Sequence, residues 1–328
     1  MTAWLIRTLL ENDIPQLVAL CNTSHPYDPV APEKFQQLYQ LPHYDPTGMF
    51  VAEHEGKIIG FMPTIIYKEG HYKDPIFANT GCILSVVIHP DYETTDLGDV
   101  LLTRALAYLQ AQGKTIIDVA SFKPFRFFPH YDTRHTYPIA LLQKHGFEPL
   151  RELVDVTKSL VDFQTPQWAV DIERQLQGEG LRFDYCTERY QADFLAFLDE
   201  HFWEAWYLKN KRFVDERGDP RTRLLAIWGD KVVGYVYFDV EAAVDTAGTV
   251  GKLSQTGVMP SLRSKKIGSV LVFKAMAEMQ ARGATSLEIY WCPWGFYQIT
   301  EGEIMRARVQ LRKIIAKTDE QGKGDVES

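Results

Sequence analysis

The chain repeats itself, and a duplication constrains the architecture more than any single motif, because a missed repeat misreads the whole fold. Residues Ala52 to Phe61 (AEHEGKIIGF) have a counterpart in Ala226 to Tyr235 (AIWGDKVVGY). Each reads as strand, tight turn and strand: an apolar run, a turn at Glu55-Gly56 or Gly229-Asp230, then a β-branched pair ending in glycine. A second correspondence follows at nearly the same offset. Val87 to Pro90 with Leu97-Gly98 matches Gly257 to Pro260 with Ile267-Gly268, and each runs into a helical pattern, Val100 to Gln112 and Val270 to Arg282. Two ordered landmarks at a similar offset imply two copies of one domain.

The length of 328 residues agrees, since one ordinary domain holds about 100–200. Between the copies, Thr165-Pro166 opens a helix and Gly178 closes it, a Thr-then-Pro start and a Gly stop that suit unsatisfied helix ends. The expected organisation is a first domain over 1–160, a linker helix over 161–180, a second domain over 181–316 and a polar, disordered tail over 317–328. Each copy reads as strand, helix, hairpin, long strand, helix, strand and terminal strand. That alternation places the chain in the α/β class, with a mixed sheet under covering helices.

Other features exclude functions. A net charge of -8 argues against a general nucleic-acid binder, and no apolar run approaches a membrane span. The first twenty residues interrupt their apolar positions with Arg7, Glu11 and Asp13, unlike a secretory signal. The four cysteines, Cys21, Cys82, Cys186 and Cys292, form no CxxC pair, which fits a reducing compartment. A cytoplasmic protein without membrane or nucleic-acid partners is expected.

The second copy carries the chemistry. Its long strand, Thr249–Val258, runs into Pro260 to Ser269 (PSLRSKKIGS), where Arg263, Lys265 and Lys266 bring positive charge to a helix start. Unpaired amides and the positive end of the dipole make such a start a phosphate site. After a strand at Ser286 to Trp291 come Phe296, Tyr297 and, five residues on, Gly302. On these residues and the repeat, the chain resembles the GNAT acetyltransferase superfamily over nearly its whole length, in a tandem arrangement similar to that of mycothiol synthase.

The resemblance implies two tandem GNAT folds packed as a pseudo-dimer, a monomer in solution, and acetyl-CoA as co-substrate with an amine acceptor. It implies that Arg263, Ser264, Lys265, Lys266, Ile267, Gly268 and Ser269 cradle the pyrophosphate, and that the backbone at Val258 and Met259 polarises the thioester carbonyl. Tyr297 becomes the acid that protonates the leaving thiolate. Two departures from the family pattern are Lys266, which stands where the middle glycine is usual, and Gly302, which comes one residue late. In the first copy, Glu93 replaces the basic residue, Asp96 the glycine and Leu142 the tyrosine, so that copy is not expected to bind the cofactor in the usual way.

The general base is less defined. Alternation along Val232–Glu241 puts Val236, Phe238 and Val240 on one face and Tyr235, Tyr237, Asp239 and Glu241 on the other, leaving Asp239 and Glu241 as candidates beside a reading as solvated strand-end acids. An aromatic helix over Phe194 to Leu208 offers Trp203 and Trp206 as acceptor contacts. The loop Ser121 to Tyr137 holds His130, Asp132, Arg134 and His135 without a helical His register or cysteine partners, so no metal site is expected. The leading reading is an N-acetyltransferase; the alternative is a non-catalytic acyl-CoA-binding or interaction protein on a degenerate GNAT fold.

Overall fold

The computed structural model describes residues 4–69, 75–122, 125–128, 130–242 and 248–315. The chain divides into two units, one made of Met1–Glu152 with Arg308–Ser328, the other of Leu153–Ala307. These units cut the chain differently from the linear boundaries at 160 and 181, with residues from 308 on grouped with the first unit. The tail over 317–328 lies outside the described residues.

The first unit runs β1 (Leu5–Thr8), α1 (Ile14–Ser24), α2 (Pro32–Tyr39), β2 (Met49–His54), β3 (Lys57–Ile66), β4 (Thr80–Ile83), β5 (Val87–Ile88), α3 (Leu97–Ala111), β6 (Ile116–Val119), β7 (Tyr131–Asp132), α4 (Thr136–Lys144) and the start of β8 (Glu148–Ser159). The β2–β3 hairpin closes at Glu55 and Gly56, both in the left-handed region (φ 49° and 76°), as a two-residue turn between twisted strands requires. β4 and β6 pair in parallel, and the sheet is completed by Leu311–Ile314, which pair antiparallel with β6. One face packs α3 and α4 over Ile83, Leu101 and Leu311; the other packs α1 and α2 over Phe35, Phe61 and Phe122.

The second unit starts within β8, whose residues Val154 to Ser159 pair antiparallel with the strand Ser286–Cys292. It continues with α5 (Gln167–Gly178), β9 (Leu181–Tyr185), α6 (Glu188–His201), α7 (Glu204–Asp215), β10 (Arg223–Trp228), β11 (Lys231–Ala242), β12 (Thr249–Val258), α8 (Ile267–Ala281), β13 (Ser286–Cys292), α9 (Trp294–Tyr297) and β14 (Glu303–Ile314). The linker helix is α5, belongs to this unit, and packs with α8 on one face of the sheet, where Leu176, Val236 and Leu271 share a core. Helices α6 and α7 cover the other face through Phe194, Phe197 and Phe213. Among the described residues, no helix is long and apolar enough to cross a membrane.

The single aromatic helix expected over Phe194 to Leu208 is two helices. Phe202 and Trp203 are extended (φ -131°, ψ 174° and φ -69°, ψ 145°), and the break lets Phe202 stack on Trp206 at 5.0 Å and 10°. Burying two stacked rings outweighs one turn of helix continuity.

Candidate functional site

Strands β12 and β13 run parallel but pair only from Val250–Ser286 to Leu253–Ile289. Beyond that they part, for local reasons on each side. On β12 the register against β11 skips Ser254, a bulge that changes which face the following side chains take. On β13, Trp291 adopts a positive φ of 53° and donates its N–H to Asp155 at 2.9 Å, which turns that strand toward β8. The result is a gap beside Gln255 to Val258.

Within the gap, the backbone corrects one assignment. The N–H of Met259 donates to Val233 O at 2.8 Å and is therefore committed to β11. Because an antiparallel ladder alternates its amides, those of Thr256 and Val258 point the other way, into the gap. Thr256 and Val258, not Met259, therefore present their N–H groups to the gap.

Past β12, Pro260–Lys265 form a 3-10 turn that ends at Lys266 with φ 59° and ψ 19°. Lys266 adopts the left-handed conformation that a glycine would take, so the loop keeps its tight shape at a strain cost of roughly 1–2 kcal/mol. No side chain caps α8, and residues 263–266 are exposed. Lys265 pairs with Glu179 at 2.8 Å, while Lys266 Nζ lies 5.5 Å over Trp168, so α5 steadies both lysines. Gly268 is closely packed: a Cβ there would sit 3.3 Å from Phe296 and 3.4 Å from Val258, a snug fit that asks the Phe296 ring to give by a few tenths of an ångström. An uncapped helix start, a tight basic loop and a close-packed Gly268, Ile267 and Ser269 behind it fit a pyrophosphate.

Tyr297 ends α9, is 6 % exposed, and donates its hydroxyl to Thr256 Oγ1 at 3.1 Å. Burial raises the phenol above its ordinary value, so it stays protonated and able to donate. Sequence reading missed Thr256; the parity shift caused by the Ser254 bulge, which turns Thr256 toward Tyr297, is invisible to simple alternation.

The other candidates are not brought to this point. Asp239 pairs with Lys252 and Glu241 with Val250, at the opposite end of β12 from Thr256, about 13 and 20 Å away at ~3.3 Å per residue. Glu241 is exposed and bound to Lys252 at 2.7 Å, while Asp239 accepts from the Val240 N–H at 2.9 Å. Both are strand-end acids outside the Tyr297 constellation. Trp203 is 45 % exposed at the start of α7. Trp206 lies inward, 5.9 Å from Tyr235, on the face of the sheet opposite α8.

The first unit shows the same places filled. Its amide at Val86, which aligns with Thr256, donates to the Tyr131 hydroxyl at 2.6 Å, and Tyr131 is 1 % exposed. At its helix start, a Cβ on Gly98 would collide with the Tyr137 hydroxyl. Asp99 in the first turn of α3 takes Lys144 and His145, each at 2.7 Å, and burial raises the Glu93 carboxyl above its usual range. Leu142, at the position of Tyr297, is a core residue with no exposure.

Comparison with known proteins agrees with this duplicated architecture. The chain is 26 % identical over 233 residues to a mycothiol acetyltransferase of Nocardioides sp., spanning 64 % of this chain and 71 % of that protein. It is 25 % identical to a mycothiol acetyltransferase of Thermomonospora curvata, spanning 86 % of each. Among solved structures, the glucosamine N-acetyltransferase region of a fungal multi-domain β-N-acetylglucosaminidase superposes with a TM-score of 0.73 at 20 % identity, over 95 % of this chain and 38 % of that longer one. The model of the acetyltransferase (GNAT) family matches twice, over residues 14–126 and 183–293, and the chain therefore belongs to that family.

Proposed function

We propose that the second unit is the working N-acetyltransferase site and that the first unit does not bind acetyl-CoA in the usual way. When bound, acetyl-CoA supplies an acetyl thioester that a neutral amine attacks directly. The start of α8, with Arg263, Lys265 and Lys266, binds the pyrophosphate through backbone amides and positive charge. The Val258 N–H presents a fixed donor to the thioester carbonyl. Tyr297 holds a proton at its hydroxyl and gives it to the sulfur as the carbon–sulfur bond breaks, and the proton that the acylated nitrogen sheds restores the phenol; a thiolate, whose ordinary conjugate acid has a pKa of about 8.5, needs only one such donor.

The observation that carries this reading is the Tyr297–Thr256 contact at the open end of β12, beside the uncapped start of α8, set against Tyr131 and Tyr137 in the corresponding places of the first unit. The acceptor is a small-molecule or peptide amine. The relatives named mycothiol acetyltransferase make the mycothiol-type amine the first to try.

Calorimetry with acetyl-CoA should give one site per chain, abolished by Arg263→Glu combined with Lys266→Glu. Two equivalent sites, or binding indifferent to the double change, would reject the assignment. Release of free thiol from acetyl-CoA across an amine panel then identifies the acceptor.

A further inference from the structure

Under α7, the second unit holds a chain of buried polar side chains that no step of the proposed chemistry uses: Arg223 on β10, Asn210 on α7, Tyr235 on β11 and Gln255 on β12. The Arg223 guanidinium is sandwiched between the rings of Phe213 and Tyr237, 3.8 Å from each. A guanidinium can only donate, so the Asn210 atom that meets Arg223 Nε at 3.3 Å is the oxygen. The Asn210 amide nitrogen is left to donate to the Trp206 carbonyl at 2.9 Å and to Gln255 at 3.2 Å. Gln255 must therefore present its Oε1 there, and the Tyr235 hydroxyl donates to the same oxygen at 2.8 Å. The donors and acceptors fit together in one way.

This chain ends on the β12 bulge. Pairing with β11 skips Ser254, so that Phe238 faces Leu253 and Tyr237 faces Gln255. Lys209, next to Asn210 on α7, donates to Ser254 Oγ at 3.3 Å, so two successive residues of the helix hold two successive residues of the bulge. Leu253 lies in the core with Val236 and Leu271. Strict alternation from Leu253 would turn Gln255 into that apolar core and Thr256 toward α7, away from Tyr297. An amide buried there without partners is costly, whereas under α7 its oxygen accepts twice. A buried polar chain stabilises less than apolar packing but can select one register over its neighbour.

We propose that Gln255 is a positioning residue: gripped by Asn210 and Tyr235, it fixes the bulge in β12, and the bulge sets Thr256 against Tyr297 and turns the Thr256 and Val258 amides to the gap. The effect on turnover rests on the acid role given to Tyr297 above; the effect on geometry does not.

The test compares Gln255→Met, Gln255→Glu and Tyr235→Phe with the native chain. Methionine fills a similar space but offers no oxygen to Asn210 and Tyr235, while glutamate keeps an acceptor. In a crystal structure of Gln255→Met the Tyr297–Thr256 contact should be broken; its retention near 3.1 Å overturns the proposal whatever the activity. Turnover of Gln255→Met should fall roughly 10–10²-fold, as misplacing a catalytic group by about 1 Å does, with calorimetric affinity for acetyl-CoA retained and turnover recovered in Gln255→Glu. A lower melting temperature with native turnover is what a packing role predicts, and it overturns the proposal. If Tyr297→Phe alone turns over normally, the acid role falls, and the crystal structure still decides the part played by Gln255. Should Gln255→Met fail to fold, Tyr235→Phe, which keeps the ring and removes one of the two donors, is read in the same two ways: a displaced Thr256 supports the proposal, and an intact contact overturns it.

Discussion

The hydroxyl of Tyr297 donates to Thr256 Oγ1 across the gap where β12 leaves β13. That bond joins the helical segment after β13 to the strand whose amides face the gap, and it aims the phenol. Tyr297→Phe should keep the ring and the affinity for acetyl-CoA while turnover falls by about 10²–10⁴, with a stability loss near 1 kcal/mol. Thr256→Val should leave the acid in place but unaimed, with a smaller loss. Turnover, calorimetric affinity and thermal melting on both variants check this, and an unchanged turnover in Tyr297→Phe removes the acid role.

Lys266 separates shape from charge. Lys266→Gly preserves the left-handed backbone and relieves its strain, so the melting temperature should hold or rise while acetyl-CoA affinity drops roughly tenfold, the worth of one charged contact. Lys266→Val places a β-branched residue at φ 59° and should cost a further ~1–2 kcal/mol of stability. Equal melting of the two variants would show that the loop relaxes freely.

The exchange of terminal strands predicts which fragments fold. Val154 and Val156 of β8 are 7 % and 0 % exposed in the core of the second unit, and each contributes roughly 1.5–3 kcal/mol by burial. A fragment beginning at residue 161 lacks them and leaves the edge of β13 bare. It should aggregate or unfold without cooperativity, whereas one beginning at residue 148 should show a sharp thermal transition. Circular dichroism on both decides the matter.

Acid sensitivity should reside in the first unit. His25 and His130 are held neutral by burial, down to about 3 from the ordinary 6.5. Because the folded value is the lower one, the unfolded chain takes up protons first as pH falls. Their contribution is complete above pH 6.5 and is lost between about 6.5 and 3, with a slope of at most ~1.4 kcal/mol per pH unit per histidine. His25→Phe should flatten the stability–pH curve by one proton, measured by urea unfolding; an unchanged slope would show that His25 titrates normally when folded.

The sequence by itself determined the duplication, the α/β class, the family resemblance and the difference between the copies. Each rests on local pattern: paired hairpins, a basic loop against an acidic one, and Tyr297 against Leu142. It also placed the helix between Pro166 and Gly178, because capping and helix-stop chemistry is local. Only the tertiary structure decided the rest. The bulge at Ser254 shifts the parity of β12, so simple alternation cannot say that Thr256 meets Tyr297 or that Val258, rather than Met259, aims its amide into the gap. The composition of a strand end does not reveal that Asp239 and Glu241 lie far from the phenol, since that follows from register. The crossing of β8 and β14 between units, and the meeting of Arg308 with Asp28 some 280 positions away, depend on long-range pairing that no local pattern encodes.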